Sequence, residues 1–454
     1  MKDSRFTRRD FVRTAGAAAA AGLAAPYLYT SSVRAAGSKN DRPLFGAIGV
    51  GGQGKFIAAR ASGRLDERIL SKPIDPKRPG GYADCVAVAD VRRDFAEEFS
   101  QKYDGKPEVF TDYRKLLDRK DVECVTIATP DHWHVHVCLD ALKAGKHIYC
   151  EKPLTLTIDE GHTLLKAVKE SGKTVQVGTM QRTDRGLLQF ARAVATVRSG
   201  QLGKLRRIRV DLPLGKAGGP FASQPVPETL NWDMWQGQSP SADYSPERAG
   251  ATFRWWYEYS GGILTDWGAH HLDIVHWALN LPDSGPTTVD GTASKLPHIA
   301  NGYNTPLDPV VDYVFPGDVP VHVVSKHDEG VLFEGEKGRI YVDRGRINGK
   351  PIQEQDADKN LKDKIEAEMV KLFGDNADSM GDHMGNFFDA WQHGKTPVSD
   401  VVSQHRAVSS CHIGNISIRL GRKLTWDPVK EEFVGDDEAN AMRSRPQRAP
   451  WQFG

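Results

Sequence analysis

The segment "LFGAIGVGGQGKFIAARA", residues 44–61, constrains the fold more than any other stretch, because Gly49, Gly51 and Gly54 stand between an apolar run and a helix-like one. Glycines at this spacing allow a tight turn, close approach of the backbone to a pyrophosphate at a helix N-terminus, and close packing of helix on strand. In a chain with 44 glycines the spacing alone says little, so the segments that follow decide. The apolar runs "CVAVAD" (85–90), "CVTIAT" (124–129), "HIYCE" (147–151) and "TVQVGT" (174–179) alternate with helix-period stretches, two of which end at Gly145 and Gly172. That is the pattern of an α/β fold, a doubly wound Rossmann domain with a parallel sheet, over residues 43–175.

The turn then reads as a dinucleotide site, with Gly49, Gly51, Gly52, Gln53 and Gly54 as cofactor contacts. An acidic residue is expected to end the second strand, and Asp90 does, 36 positions after Gly54 rather than about 20. The excess is the insertion "SGRLDERILSKPIDPKRPGGYAD". Asp90 would bond the ribose hydroxyls and repel a 2′-phosphate, which favours NAD; Arg92 and Arg93 leave NADP open. From residue 176 the pattern changes to alternating segments such as "VHVVSKHD", "GVLFEGE" and "GRIYVDR". These imply a C-terminal α+β domain over 176–425 with an open, mostly antiparallel sheet, two late helices, and a polar tail over 426–454.

A hydrophobic fraction of 39% and a net charge of +1 describe a soluble globular protein and give no basis for a nucleic-acid partner. Residues 1–37 read as an export segment. Arg8-Arg9 before Asp10-Phe11-Val12 resembles a twin-arginine signal, and Val33-Arg34-Ala35 resembles a cleavage site. The mature chain is expected in the periplasm without stable membrane insertion, since no other run approaches the roughly 20 apolar residues that a bilayer requires. The five cysteines lie in apolar stretches and are expected as buried free thiols, consistent with export in the folded state.

Two further segments carry chemistry. "ATPDHWHVHVCLDALKAGKHIYCEKPLT" (128–155) brings Glu151-Lys152-Pro153 to the end of a parallel strand, where such folds bind ligands. "GGILTDWGAHHLDIVHWAL" (261–279) places Asp266, His270, Asp273 and Trp277 within a sector roughly 60° wide on one helix. Oxidising an alcohol by hydride transfer needs a base for the hydroxyl proton, and a histidine oriented by a carboxylate suits that task.

On Glu151-Lys152-Pro153 and Asp266-x-x-x-His270-x-x-Asp273, in that order, the chain resembles the Gfo/Idh/MocA family of sugar and cyclitol oxidoreductases over roughly residues 43–425. The resemblance implies a metal-free hydride transfer with NAD(P) on a sugar, sugar derivative or cyclitol, and a homo-oligomer. His270 is then the general acid/base, and Asp266 its partner or a substrate-hydroxyl ligand. Lys152 steers the reacting oxygen and stabilises its negative charge. Asp273 is expected to bind another hydroxyl. The family's loop along the nicotinamide side corresponds to Thr129, Pro130 and His134, with Glu151 and Lys152 also at the cofactor. Gln181, Arg182, Trp256 and Trp267 are the further substrate candidates.

Other readings compete. Asp266, His270 and Asp273 could hold a metal with a ligand from elsewhere, which the resemblance opposes. The histidines of "DHWHVH" (131–136) stand two apart on a helical pattern and do not face one another, so His132 and His136 are read as structural, and His271 as a packing residue. Free NAD is not expected outside the cytoplasm, so an exported enzyme would carry its cofactor tightly bound and reoxidise it in place. The same chemistry admits a redox-neutral glycosidase or lyase working through a transient keto-sugar. A third reading, a non-enzymatic sugar-binding protein, is opposed by the presence of Lys152, Asp266 and His270.

Overall fold

The apolar runs form strands for the reason their composition implies: each is covered on both faces. In the computed structural model, which describes residues 42–64, 81–326 and 328–452, β1 (Leu44–Ile48), β2 (Asp84–Ala89), β3 (Glu108–Phe110), β4 (Cys124–Ile127), β5 (His147–Cys150) and β6 (Val175–Val177) make one sheet. Every pair is parallel and the order is β3-β2-β1-β4-β5-β6. Crossovers include α1 (Gly52–Ser62), α2 (Arg93–Lys102), α3 (Tyr113–Leu117), α4 (His134–Lys143) and α5 (Ile158–Ser171). The last shows why its boundaries were legible. Thr157 and Glu160 close a reciprocal cap at its start, and Gly172 ends it at φ 63°. β3 escaped sequence reading because three residues are too few to show a period.

Strand order reverses between β1 and β4, the point at which folds of this kind open a ligand crevice. There the glycine turn after β1 touches the end of β4. A Cβ on Gly49, whose φ is 75°, would stand 2.7 Å from the Thr129 nitrogen.

The second half builds a nine-stranded sheet. Its strands are β7 (Leu205–Leu212), β8 (Thr288–Asp290), β9 (Val310–Phe315), β10 (Val319–Ser325), β11 (Gly330–Gly335), β12 (Arg339–Val342), β13 (Ile347–Asn348), β14 (Leu424–Asp427) and β15 (Glu432–Phe433). The order is β13-β12-β11-β7-β10-β9-β8-β14-β15, antiparallel except for β7 with β10. One face, with Ile208, Val210, Val321, Val323 and Phe333, packs on α6 (Leu188–Arg198), α7 (Gly268–Leu279) and α10 (Val401–Leu420). The other presents Arg207, Asp312 and His322 to solvent. Two helices on its flank, α8 (Lys359–Phe373) and α9 (His383–His393), complete the layer.

Two expected boundaries move. β6 pairs with β5, so the first sheet extends past residue 175, and β14 crosses the 425/426 limit with Trp426 buried. The tail also docks. Arg448 bonds Asp233, and the Trp451 ring meets Trp133 edge-on at 5.5 Å. Residues 1–37, expected as an export segment, lie outside the described residues, as does most of the insertion after Ser62. All five cysteines are buried and unpaired, and no described helix is long and apolar enough to cross a membrane.

Candidate active site

The glycine turn has the shape of an anion cradle. Space around Gly51 is open, with nothing within 4 Å of an added Cβ, whereas a Cβ on Gly54 would stand 1.8 Å from the Gly49 carbonyl oxygen. α1 begins with no acidic residue in its first turn and no side-chain cap, which leaves its positive end to a phosphate. Asp90 ties the turn to β2: its carboxylate accepts from Val50 N at 2.8 Å and Arg92 N at 2.9 Å. Burial raises the Asp90 pKa to about 6 against those hydrogen bonds. The Arg92 guanidinium is taken by Asp94, at 2.9 and 2.5 Å. It is thus engaged by an acid beside the ribose position, which fits NAD better than its 2′-phosphate analogue. Gln53 reaches across and donates to Glu151 at 3.0 Å.

Glu151 leads directly to the reactive cluster. Lys152 Nζ donates to Asp266 Oδ1 at 2.6 Å and to the Asp266 carbonyl at 2.9 Å. An ammonium has three donors, so one remains for a ligand. Arg254 Nε also donates to Asp266 Oδ1, at 3.1 Å. Burial alone would raise the Asp266 carboxyl, but Lys152 and Arg254 hold it down at about 2. His270 makes no side-chain hydrogen bond with described residues, and its Nδ1 is buried without a partner. Burial first, then the charges of Lys152 and Arg344, push its pKa well below the usual value, so the imidazole is neutral.

The single helical face expected for residues 266–277 is not formed. Asp266 ends a separate turn, Ile263–Asp266, and α7 starts afresh at Gly268. Asp266 therefore turns to Lys152 rather than to His270. Asp273 is 0% exposed and bonds Arg182 at 2.9 and 2.5 Å and Gln404 at 2.8 Å. It is a structural carboxylate, not a hydroxyl ligand, and Arg182 is a structural cation. The alternative metal set of Asp266, His270 and Asp273 fails for the same reason, its two carboxylates being committed to different cations.

The remaining candidates divide. Trp267 is half-buried, with Arg344 stacked on it at 4.2 Å, and stands beside His270 with ring centroids 6.1 Å apart. Trp256 is 1% exposed in an aromatic cluster with Trp235, Phe253, Tyr259 and Tyr303; it is core, not a sugar platform. Gln181 is buried and bonds the His271 ring at 3.3 Å. His134, expected at the cofactor, has both ring nitrogens on carbonyls, Pro153 at 2.7 Å and Thr129 at 2.9 Å. It braces the two loops instead, while Thr129 and Pro130 keep partial exposure. His132 and His136 bond the carbonyls of Trp235 and Trp451, as structural residues do. Sequence reasoning missed Arg254 and Arg344, because neither has a periodic or motif signal; only folding brings them to Asp266 and Trp267.

Residues 44–179 match the model described as "Oxidoreductase family, NAD-binding Rossmann fold" of the Gfo/Idh/MocA type, and 215–453 match "Oxidoreductase family, C-terminal alpha/beta domain". The chain is 29% identical over 198 residues to an inositol 2-dehydrogenase of Salmonella typhimurium, covering 43% of this chain and 47% of that one. It thus spans about half the length of the first curated relatives it matches. A myo-inositol 2-dehydrogenase of Thermotoga maritima is 23% identical over 319 residues, 69% of this chain and 79% of the relative. Among solved structures, the myo-inositol dehydrogenase of Lactobacillus casei in complex with NAD(H) and myo-inositol is 18% identical with a TM-score of 0.55. It covers 85% of this chain and 97% of that one, and shares the fold.

Proposed function

The chain belongs to the Gfo/Idh/MocA oxidoreductase family, and from that premise we propose that it is an NAD-dependent oxidoreductase acting on a CH–OH group of a sugar, sugar derivative or cyclitol. One observation carries the reading: Lys152 is held by two Asp266 atoms with its third donor left over, beside a neutral His270 and next to the residue that Gln53 links to the glycine turn. Bound NAD supplies the hydride acceptor. Lys152 donates to the substrate oxygen and fixes it, and stabilises the negative charge as the proton leaves. His270 accepts that proton, which its neutral state permits. Asp266, itself held by Arg254, keeps the ammonium in place. Trp267, flanked by Arg344, offers an apolar face beside His270 for a ring C–H surface.

The relatives named as inositol dehydrogenases support a polyhydroxylated ring as substrate. The segment at residues 1–37 supports an exported, periplasmic enzyme that keeps its cofactor bound and recycles it in place. The polar outer face of the nine-stranded sheet is the surface we assign to a second copy in a homo-oligomer.

Native mass spectrometry of the purified protein tests the proposal, followed by a panel of cyclitols, sugars and glycosides read by both nicotinamide absorbance and product analysis. We expect one NAD per chain and a keto product. Glycoside cleavage without net NADH would select the redox-neutral variant, and protein that neither holds nor takes up nicotinamide would overturn the reading.

A further inference from the structure

Away from Lys152, three side chains from three elements converge. His162 of α5, His405 of α10 and Glu431 in the β14–β15 turn each bring one nitrogen or oxygen to within 4.8 Å of the others. His405 is fully buried, Glu431 nearly so, and His162 is half-exposed. His405 Nε2 lies 2.9 Å from Glu431 Oε1, yet neither atom makes an aligned hydrogen bond, and His405 Nδ1 has no partner either. Buried polar atoms are nearly always satisfied. A common third atom bound by both would satisfy them. Gly161 on α5 makes the room, since a Cβ there would stand 2.0 Å from His405 Nδ1.

The surroundings supply the outer groups that a metal site needs. Asp159 Oδ1 stands 3.5 Å from His162 Nδ1, on the far side of the ring from Nε2, which lies 2.8 Å from Glu431 Oε2. Arg406 Nη1 is 2.9 Å from Glu431 Oε1, and Arg443 Nη1 donates to the Glu431 carbonyl at 2.6 Å. A carboxylate behind a ligating histidine, and a cation beside a ligating carboxylate, orient ligands and keep their charge. Two imidazoles and one carboxylate form a donor set for zinc-type ions, with a further position left to water. The exposed edge of His162 gives the ion a way in.

We propose that His162, His405 and Glu431 bind a zinc-type divalent cation, with Asp159 and Arg406 holding the ligands from behind. The ion would clamp α5 of the nucleotide-binding domain to α10 and to the hairpin that ends the second sheet, a structural role separate from Lys152 and His270.

The test uses the full-length protein stripped with a chelator. Zinc is titrated in competition with a chromophoric chelator, and cobalt is followed by visible absorption. The expected result is one ion per chain and the strong absorption of four- or five-coordinate cobalt, both lost in His405→Asn and Glu431→Gln. Affinity should fall by at least about tenfold in Asp159→Asn. His162→Gln, at the half-exposed position, serves if the buried variants fail to fold. Zinc bound no tighter by the native protein than by His162→Gln, or only the weak spectrum of six-coordinate cobalt, would mean that the cluster is an ion-pair network and overturn the proposal.

Discussion

Asp266 and Asp273 stand seven residues apart and each binds a cation, yet the two pairs differ in kind. Lys152 and Asp266 keep 16% and 14% of their side chains exposed and leave one ammonium donor over. Arg182 and Asp273 keep 6% and 0%, and Gln404 occupies the Asp273 oxygen that Arg182 shares. An open pair can lend its charge to a ligand, whereas a closed pair only fixes geometry. Cavity volume does not make the distinction. A cavity of about 270 Å³ is lined by Arg182, Arg198, Trp277 and Asp400, and by none of Lys152, Asp266 or His270.

The largest effect expected at the open pair is on rate. His270→Asn or Lys152→Met should lower kcat by about 10²–10⁴-fold with NAD still bound, and Lys152→Met should also lower the melting temperature because it strands the Asp266 carboxylate; steady-state kinetics beside a cofactor titration decide it, and unaltered turnover would remove the assigned roles. At the closed pair the effect should be on stability. Asp273→Ala leaves Arg182 buried without its partner and should cost about 3–5 kcal/mol, measured by denaturant unfolding. A variant as stable as the native protein but slow in turnover would show that Asp273 belongs to the chemistry after all.

Acid should separate the pairs further. Asp266 is held at about 2, below the value near 4 of an unfolded aspartate, so its contribution is present above pH 4 and is lost as pH falls towards 2. Native protein should exceed Asp266→Asn by about 2 kcal/mol at neutral pH, and the gap should close over that window in paired unfolding curves. The smallest effect lies at the glycine turn. Gly51→Ala should weaken NAD binding by about tenfold, roughly 1.4 kcal/mol, without moving the melting temperature, because an added methyl meets no protein atom there. A large drop in melting temperature would show that Gly51 is a packing residue like Gly54.

The parallel sheet was legible because its signals are local: apolar runs covered on both faces, glycines at helix ends, and a glycine turn between strand and helix. The same holds for Lys152, which follows β5 directly. The face expected for Asp266, His270 and Asp273 was not legible, because their spacing predicts one helix through residues 266–277 and the helix is interrupted at Trp267. Trp256 misled in a related way. A tryptophan near a site can be platform or core, and only the packing of Phe253, Tyr259 and Tyr303 around it decides.

By itself, the sequence determined the Rossmann topology and the mostly antiparallel second sheet, which rest on short-range pattern, and its family resemblance singled out the glycine turn, Lys152 and His270 as candidates for the cofactor turn and the reactive pair. Tertiary structure alone decided which cation each carboxylate meets. Arg254 and Lys152 come to Asp266 from 12 and 114 residues away, and Arg182 and Gln404 reach Asp273 from 91 and 131. The physical reason is that the work of an ionisable group follows from its partners and its access to water, and for separations this long no local period encodes either.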